Sequence, residues 1–355
     1  AVGWNALTAI NHADADRNTA VGAGAGQAIT SGMRNTGVGA YALDGTDDGD
    51  NNSSLGHSAL SANCGDDNVA VGSTALTVFT GSYATAVGSG AADVAVGNTN
   101  LTAVGHNALG AATSGNNNTA VGYASLQTVD GASNTAVGSS ALNADCVNNN
   151  VGVGFEALKV CVSSDATAVG YQAAVAATSA IDLTAVGKSA LAAVTDGHYN
   201  TGVGAHAGSS INGGDRNTTV GRHSQVANVS GDDNTSVGHN ALYAFTGSDA
   251  VAIGSYAADA ATSATDLTAV GKNALGACTE GAGNTAVGSA ALFSLVGTGT
   301  SAGTGGDSNV ALGAYSGYYT TGSRNSYIGL NAGFHGTTAD HCIAIGLNAL
   351  FGSSG

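Results

Sequence analysis

Asn118-Thr119-Ala120-Val121-Gly122-Tyr123-Ala124-Ser125-Leu126 is one copy of a unit that runs the length of the chain. An aliphatic residue, a glycine, two variable residues and then Ala or Ser recur 21 times between Gly3 and Gly346, in steps that are mostly 16 or 17 residues. Counting positions from this glycine, Val, Ile or Leu stands at −1 in every copy, Ala in 18 copies and Ser in three at +3, and Leu in 13 at +4. Asn occupies −4 in 13 copies. The remainder of each unit is rich in Gly, Asp, Asn and Ser, which are turn residues.

A slower period lies over the first. Asn at −4 gives way to Ala at Ala84, Ala166 and Ala250, and to Leu one copy later at Leu101, Leu183 and Leu267. This defines super-repeats near 84–165, 166–249 and 250–341 within a single repetitive domain spanning 1–355. A chain that opens mid-pattern at Ala1-Val2-Gly3 reads as a fragment or processed product of a longer one.

Units of about 17 residues are too short for helical repeats or propeller blades. The runs Thr-Ala-Val-Gly and x-x-Ala-Leu are short and β-compatible, so each unit reads as one coil of a parallel β-solenoid with two short strands. The expected fold is therefore an all-β parallel β-roll of about 21 coils. The 355 residues contain no proline, as a ladder of stacked strands requires, because proline removes a ladder hydrogen bond. Alternation along Thr-Ala-Val gives two faces. We place the valines (Val21, Val38, Val104, Val121, Val137, Val186, Val203, Val237, Val270 and Val287) in the core of the roll. The small residues at −2 then form an outward face that packs against other subunits.

Composition excludes several functions. Eight Lys+Arg against 24 Asp+Glu give a net charge of −16, which leaves no basic footprint for nucleic acid. No apolar run is long enough to span a bilayer, so the segment inserts into no membrane. The five cysteines, Cys64, Cys146, Cys161, Cys278 and Cys342, are odd in number, and no pair has metal-type spacing. No catalytic constellation emerges, and the chain reads as non-enzymatic. Gly202-Val-Gly204-Ala-His-Ala207 satisfies a loose dinucleotide pattern, but it is one more copy of the repeat without βαβ context.

Three groups of residues stand out as candidate sites. His206 and His223 share one register in successive coils and offer nitrogen ligands to a metal. Asp47, Asp48 and Asp50 offer oxygen ligands to calcium, although the spacing of known calcium loops is not met. No other cofactor is implied. Position +1 varies freely beside a fixed Ala, as expected of a scaffold displaying changeable side chains. Trp4, His57, Tyr123, Phe155, Tyr171, Lys188, Arg222 and Lys272 are its candidates for ligand contact, with Thr298–Asp307 as the largest loop. Thr at −3 suggests the hydroxyl array of an ice-binding solenoid, but a core-facing column would hide it.

The consensus Asn-Thr-Ala-Val-Gly-x-x-Ala-Leu, as at Asn118–Leu126 and Asn284–Leu292, resembles the head repeats of YadA-like trimeric autotransporter adhesins and repeat regions of phage tail fibres. The resemblance covers essentially the whole chain. It implies a left-handed roll, a side-by-side homotrimer, and attachment to a host-cell receptor or glycan from a virion tail fibre or a bacterial surface. Free cysteines favour the phage-type reading. The alternative is a structural shaft or filament with no receptor site of its own.

Overall fold

The computed structural model of the chain describes residues 1–10, 16–262, 264–295, 306–335 and 340–352. The described residues are all-β, without helix. They fall into two compact units, Ala1–Ser179 and Ala180–Gly355. The boundary lies inside the super-repeat expected over 166–249, so duplication blocks and compact units do not coincide.

Each unit is a parallel β-solenoid of short strands. Unit one carries ten three-residue strands, β1 (Thr19–Val21) through β10 (Thr167–Val169), and unit two carries ten more, β11 (Thr184–Val186) through β20 (Ile343–Ile345). Within a unit every strand pairs in parallel with the next and in the same register, as in Thr102 with Thr119, Ala103 with Ala120 and Val104 with Val121. The strands number 20, one fewer than the 21 glycine copies. The first copy forms only an isolated bridge from Val2 to Val21.

The faces are the reverse of the expectation. In all 20 strands the middle residue, at −2, is buried, while those at −3 and −1 are partly or fully exposed: Ala185 is 0% exposed and Val186 36%. Val21, Val38, Val104, Val121, Val137, Val186, Val203, Val237, Val270 and Val287 therefore lie outside the roll and do not form its core. The reason is the width of the coil. The opposite wall already carries Ala at +3 and Leu at +4, both turned inward, so the space facing the strand admits little beyond a methyl group. A Cβ placed on Gly202, itself a −2 residue, would lie only 2.6 Å from Leu191 Cγ. Valine at −2 would overpack the core.

The expected second strand is a turn. Residues +2 and +4 adopt left-handed backbone in every coil, as at Ser140 (φ 54°) and Leu142 (φ 48°). This conformation costs a non-glycine residue roughly 1–2 kcal/mol. Hydrogen bonds between coils offset it: the N–H of Ser140 donates to Tyr123 O of the coil before at 2.9 Å, and that of Leu142 to Ala157 O of the coil after at 3.0 Å. The alternation swings +3 and +4 inward and leaves +1 and +2 outside. The glycine that precedes the turn has no substitute. Gly122 has φ 135°, and a Cβ there would sit 2.6 Å from the Gly138 carbonyl.

Two side-chain ladders hold the coils in register. At −4, the Asn134 carboxamide oxygen accepts the Asn150 N–H of the next coil at 2.9 Å, and its amide donates to Val147 O at 2.7 Å. Asn118, Asn134 and Asn150 are fully buried and form one such run. At −6, Asp, Ser or Asn accepts from the preceding coil: the N–H of Asp215 donates to Asp232 Oδ1 and that of Asp232 to Ser248 Oγ. Much of the acidic, Asn-rich composition is thus architecture. It satisfies backbone groups that would otherwise be costly to leave unpaired.

A further core column at +7 completes the interior, with Ile29, Phe79, Val129, Cys161, Val194, Ile211 and Phe245 all buried, and Cys146 fills the same space from +8. The super-repeat follows from volume in this region. Where −4 shrinks to Ala84 or Ala250, the preceding +7 residue is Phe79 or Phe245. Where −4 grows to Leu101 or Leu267, it is Ala95 or Ala261. All eight side chains are buried.

Candidate ligand-contact surface

Side chains at +1 and +2 project from the left-handed turn. Inter-coil hydrogen bonds such as His223 N–H to Ala205 O, 3.0 Å, and Tyr256 N–H to His239 O, 2.9 Å, set them one strand spacing, about 4.8 Å, apart. All eight +1 residues singled out from the sequence (Trp4, His57, Tyr123, Phe155, Tyr171, Lys188, Arg222 and Lys272) are exposed. Trp4 is 74% exposed. Residues 298–305 of the long loop lie outside the described residues.

In unit one the lane is aromatic. Phe155 stacks on Tyr171 with centroids 5.4 Å apart, His106 lies 5.7 Å from Tyr123, and Tyr41 meets His57 edge-on at 6.1 Å. Glu156, beside Phe155, accepts from Gln172 Nε2 at 2.8 Å and pairs with Lys159 at 2.6 Å. The Gln172 hydrogen bond and, after it, the Lys159 partner hold its carboxyl below the usual range.

In unit two the lane carries the cations Lys188, Arg222 and Lys272 and a run of imidazoles. His206 and His223 approach to 5.3 Å between ring centroids, and Arg222 Nη1 donates to His239 Nε2 at 3.3 Å, which requires that nitrogen to be unprotonated. Burial lowers the pKa of His223, and the charges of Arg222, His206 and His239 lower it further. Tyr243 and Tyr256 flank the imidazoles, with centroids 6.3 Å from His223 and 5.1 Å from His239. The coil carrying Arg222 is also unusual inside, where Gln225 replaces the core leucine, Asn228 enters the +7 column and both are fully buried.

The expected metal ligands assemble no site. Among the described residues, no three or more His, Cys, Asp or Glu side chains group so that they could hold an ion. His206 and His223 come together as a pair alone. The carboxylates of Asp47 and Asp50 are already used between coils: Asp47 accepts from the Thr30 hydroxyl, and Asp50 from the Met33 N–H at 2.7 Å and from Arg34 at 3.3 Å. Asp48 takes no part in those bonds. Cys146 and Cys161, in neighbouring coils, are free buried thiols, and the influence of Cys161 together with burial pushes the Cys146 thiol up.

Sequence reasoning missed an aromatic column at +5. Phe293, Tyr318, Phe334 and Phe351 stack in series at 5.1, 5.2 and 5.3 Å. A fixed offset from successive glycines was its available signal. No protein-family model matches this chain, and no curated protein matches it either.

Proposed function

We propose that the chain is a non-enzymatic fibre segment that associates with copies of itself along its Thr/Val face and displays its +1 and +2 lanes to a host cell or other surface. One observation carries this reading. The outward −1 column is a continuous apolar strip in each unit, with Val87, Val137, Val169, Val203, Ile253 and Ile328 each more than a third exposed. Strips of this size and regularity mark association surfaces in soluble proteins. The homotrimer implied by the repeat resemblance would bury it between three chains. The reading places the protein outside the cell, on a virion tail fibre or a bacterial surface, and assigns no catalytic step.

Light scattering on the intact chain tests it. A trimer is expected, and the paired substitution Val186→Lys with Val203→Lys should yield monomers of unchanged circular dichroism. A wild-type monomer would overturn the reading. Binding to host cells or glycans that is lost on exchanging +1 residues separates an attachment fibre from a plain shaft. A second reading draws on the outward Thr column: a flat array of Thr and Val suits an ice-binding face, and it requires thermal hysteresis from the isolated chain.

A further inference from the structure

Cations are scarce in this chain, and their pairing divides them into two sets. Arg17, Arg34, Lys159 and Arg216 each lie within 4.0 Å of a carboxylate. Arg216 is held twice by Asp233, at 2.7 and 2.8 Å. Lys188, Arg222, Lys272 and Arg324 form no ion pair among the described residues; Arg324 lies at −5, beside His341, and the other three occupy +1 in unit two. They span five coil steps, roughly 24 Å at the strand spacing. His206 lies in the coil between the first two, His223 in the coil of Arg222 itself and His239 in the next. In a protein of net charge −16, this lane gathers cationic groups where the repeat could equally have set Asp.

We propose that the lane from Lys188 to Lys272 is a binding surface for an acidic polysaccharide, recognised through sulfate or carboxylate groups on a sugar chain. Three unpaired cations at intervals of two and three coils suit a sparsely charged extended polymer and not a single small ion. The spaces between them hold side chains that suit sugars, the rings of Tyr243 and Tyr256 offering faces to C–H groups. A densely charged polyanion fits poorly. Duplex DNA carries a charge every 1.7 Å or so along its axis, and the acidic remainder of the protein would repel it. Arg222 is the centre of the site, since a guanidinium grips an oxyanion with two parallel donors. The inference deepens the attachment reading and rests on it for its biological use, although the binding chemistry does not depend on the assembly state.

The test uses the full chain, with dextran sulfate, polygalacturonate, neutral dextran and duplex DNA as probes, by isothermal titration at low and at physiological salt. One or both acidic polysaccharides are expected to bind, and the one that does identifies sulfate or carboxylate as the recognised group. Affinity should fall as salt rises, and neutral dextran should not bind. Arg222→Gln should weaken binding about tenfold, near 1.4 kcal/mol for one charge-assisted contact, and Lys188→Gln with Lys272→Gln should weaken it further. Arg34→Gln, which removes a cation already paired with Asp50, should leave binding unchanged. The proposal is overturned if neither acidic polysaccharide binds, if Arg34→Gln costs as much as Arg222→Gln, or if DNA binds as tightly. Light scattering on the same samples keeps the two readings apart. A trimer that ignores both acidic probes rejects this site alone, and a monomer that binds them rejects the self-association reading alone.

Discussion

Tyr327 lies fully buried at −2, where every other coil carries a small residue, and the space for its ring is the space that leucine vacates at Gly333. A Cβ on Gly333 would clash with Cδ1 and Cε1 of the Tyr327 ring, and one on Gly317, the same position a coil earlier, would lie 2.7 Å from Tyr327 Cδ2. One large side chain thus replaces parts of two neighbouring coils at constant volume. Tyr327→Ala is expected to open a cavity and cost about 3–5 kcal/mol, the range for aromatic truncation in a core. Adding Gly333→Leu restores the consensus pair and should recover a substantial part of the loss. Equilibrium denaturation of the two variants measures it, and an additive double mutant would refute the packing account.

The inverted faces make a contrast between adjacent residues. Ala185 is enclosed by the coil and Val186 is on its surface. Ala185→Leu should destabilise by about 1–3 kcal/mol through overpacking. Val186→Leu, which adds similar volume outside, should stay within about 0.5 kcal/mol of wild type in dilute solution. Urea midpoints compare the pair directly, and equal effects would return the valines to the core.

The repeat period, the parallel stacking and the strict demand for glycine were all legible in the sequence, because each rests on backbone geometry that admits few residue types. The direction of the faces was not. Thr-Ala-Val alternates equally well with either set inside, and only the space left by Ala and Leu on the opposite wall decides it. The +7 column was hidden for a different reason. Ile29, Phe79, Cys161 and Asn228 share burial but no chemistry, since each is matched to its local partners. Asn at −4 was visible as a repeated letter, yet its place in a buried ladder depends on carbonyls 13 or 14 residues further on, such as Val147 for Asn134. Among the candidate contact residues, exposure was readable at +1, whereas the +5 aromatics fell between the motifs.

The asparagine ladder gives a third expectation. Asn134→Ala leaves the Asn150 N–H and the Val147 carbonyl without their partners. The Asn150 group is fully buried, and one unsatisfied buried group costs about 1–3 kcal/mol, so the loss should fall in that range. Hydrogen exchange at the Asn150 amide should accelerate more than at amides several coils away. Uniform acceleration throughout unit one would mean that the ladder supports the unit as a whole and not its own coils.

The buried thiols set an alkaline limit on stability. Burial pushes Cys278 up from its ordinary 9.0 to about 12, and it raises Cys64 as well. A thiol whose folded pKa lies above its unfolded value stabilises the fold fully below the unfolded pKa and loses that contribution as pH rises towards the folded one. For Cys278 the window runs from pH 9 to about 12, at about 1.4 kcal/mol per pH unit within it. Cys278→Ala removes this one titration, so the difference between wild-type and variant stability should narrow across the window even though tyrosines ionise in both proteins. Denaturant titrations at pH 8, 9, 10 and 11 read the difference. In the native protein at neutral pH, the half-buried Cys342 should alkylate first, with Cys64, Cys146, Cys161 and Cys278 reacting only on unfolding. A constant difference between wild type and Cys278→Ala over pH 9–11 would show that the Cys278 thiol ionises as readily inside the coil as in the unfolded chain.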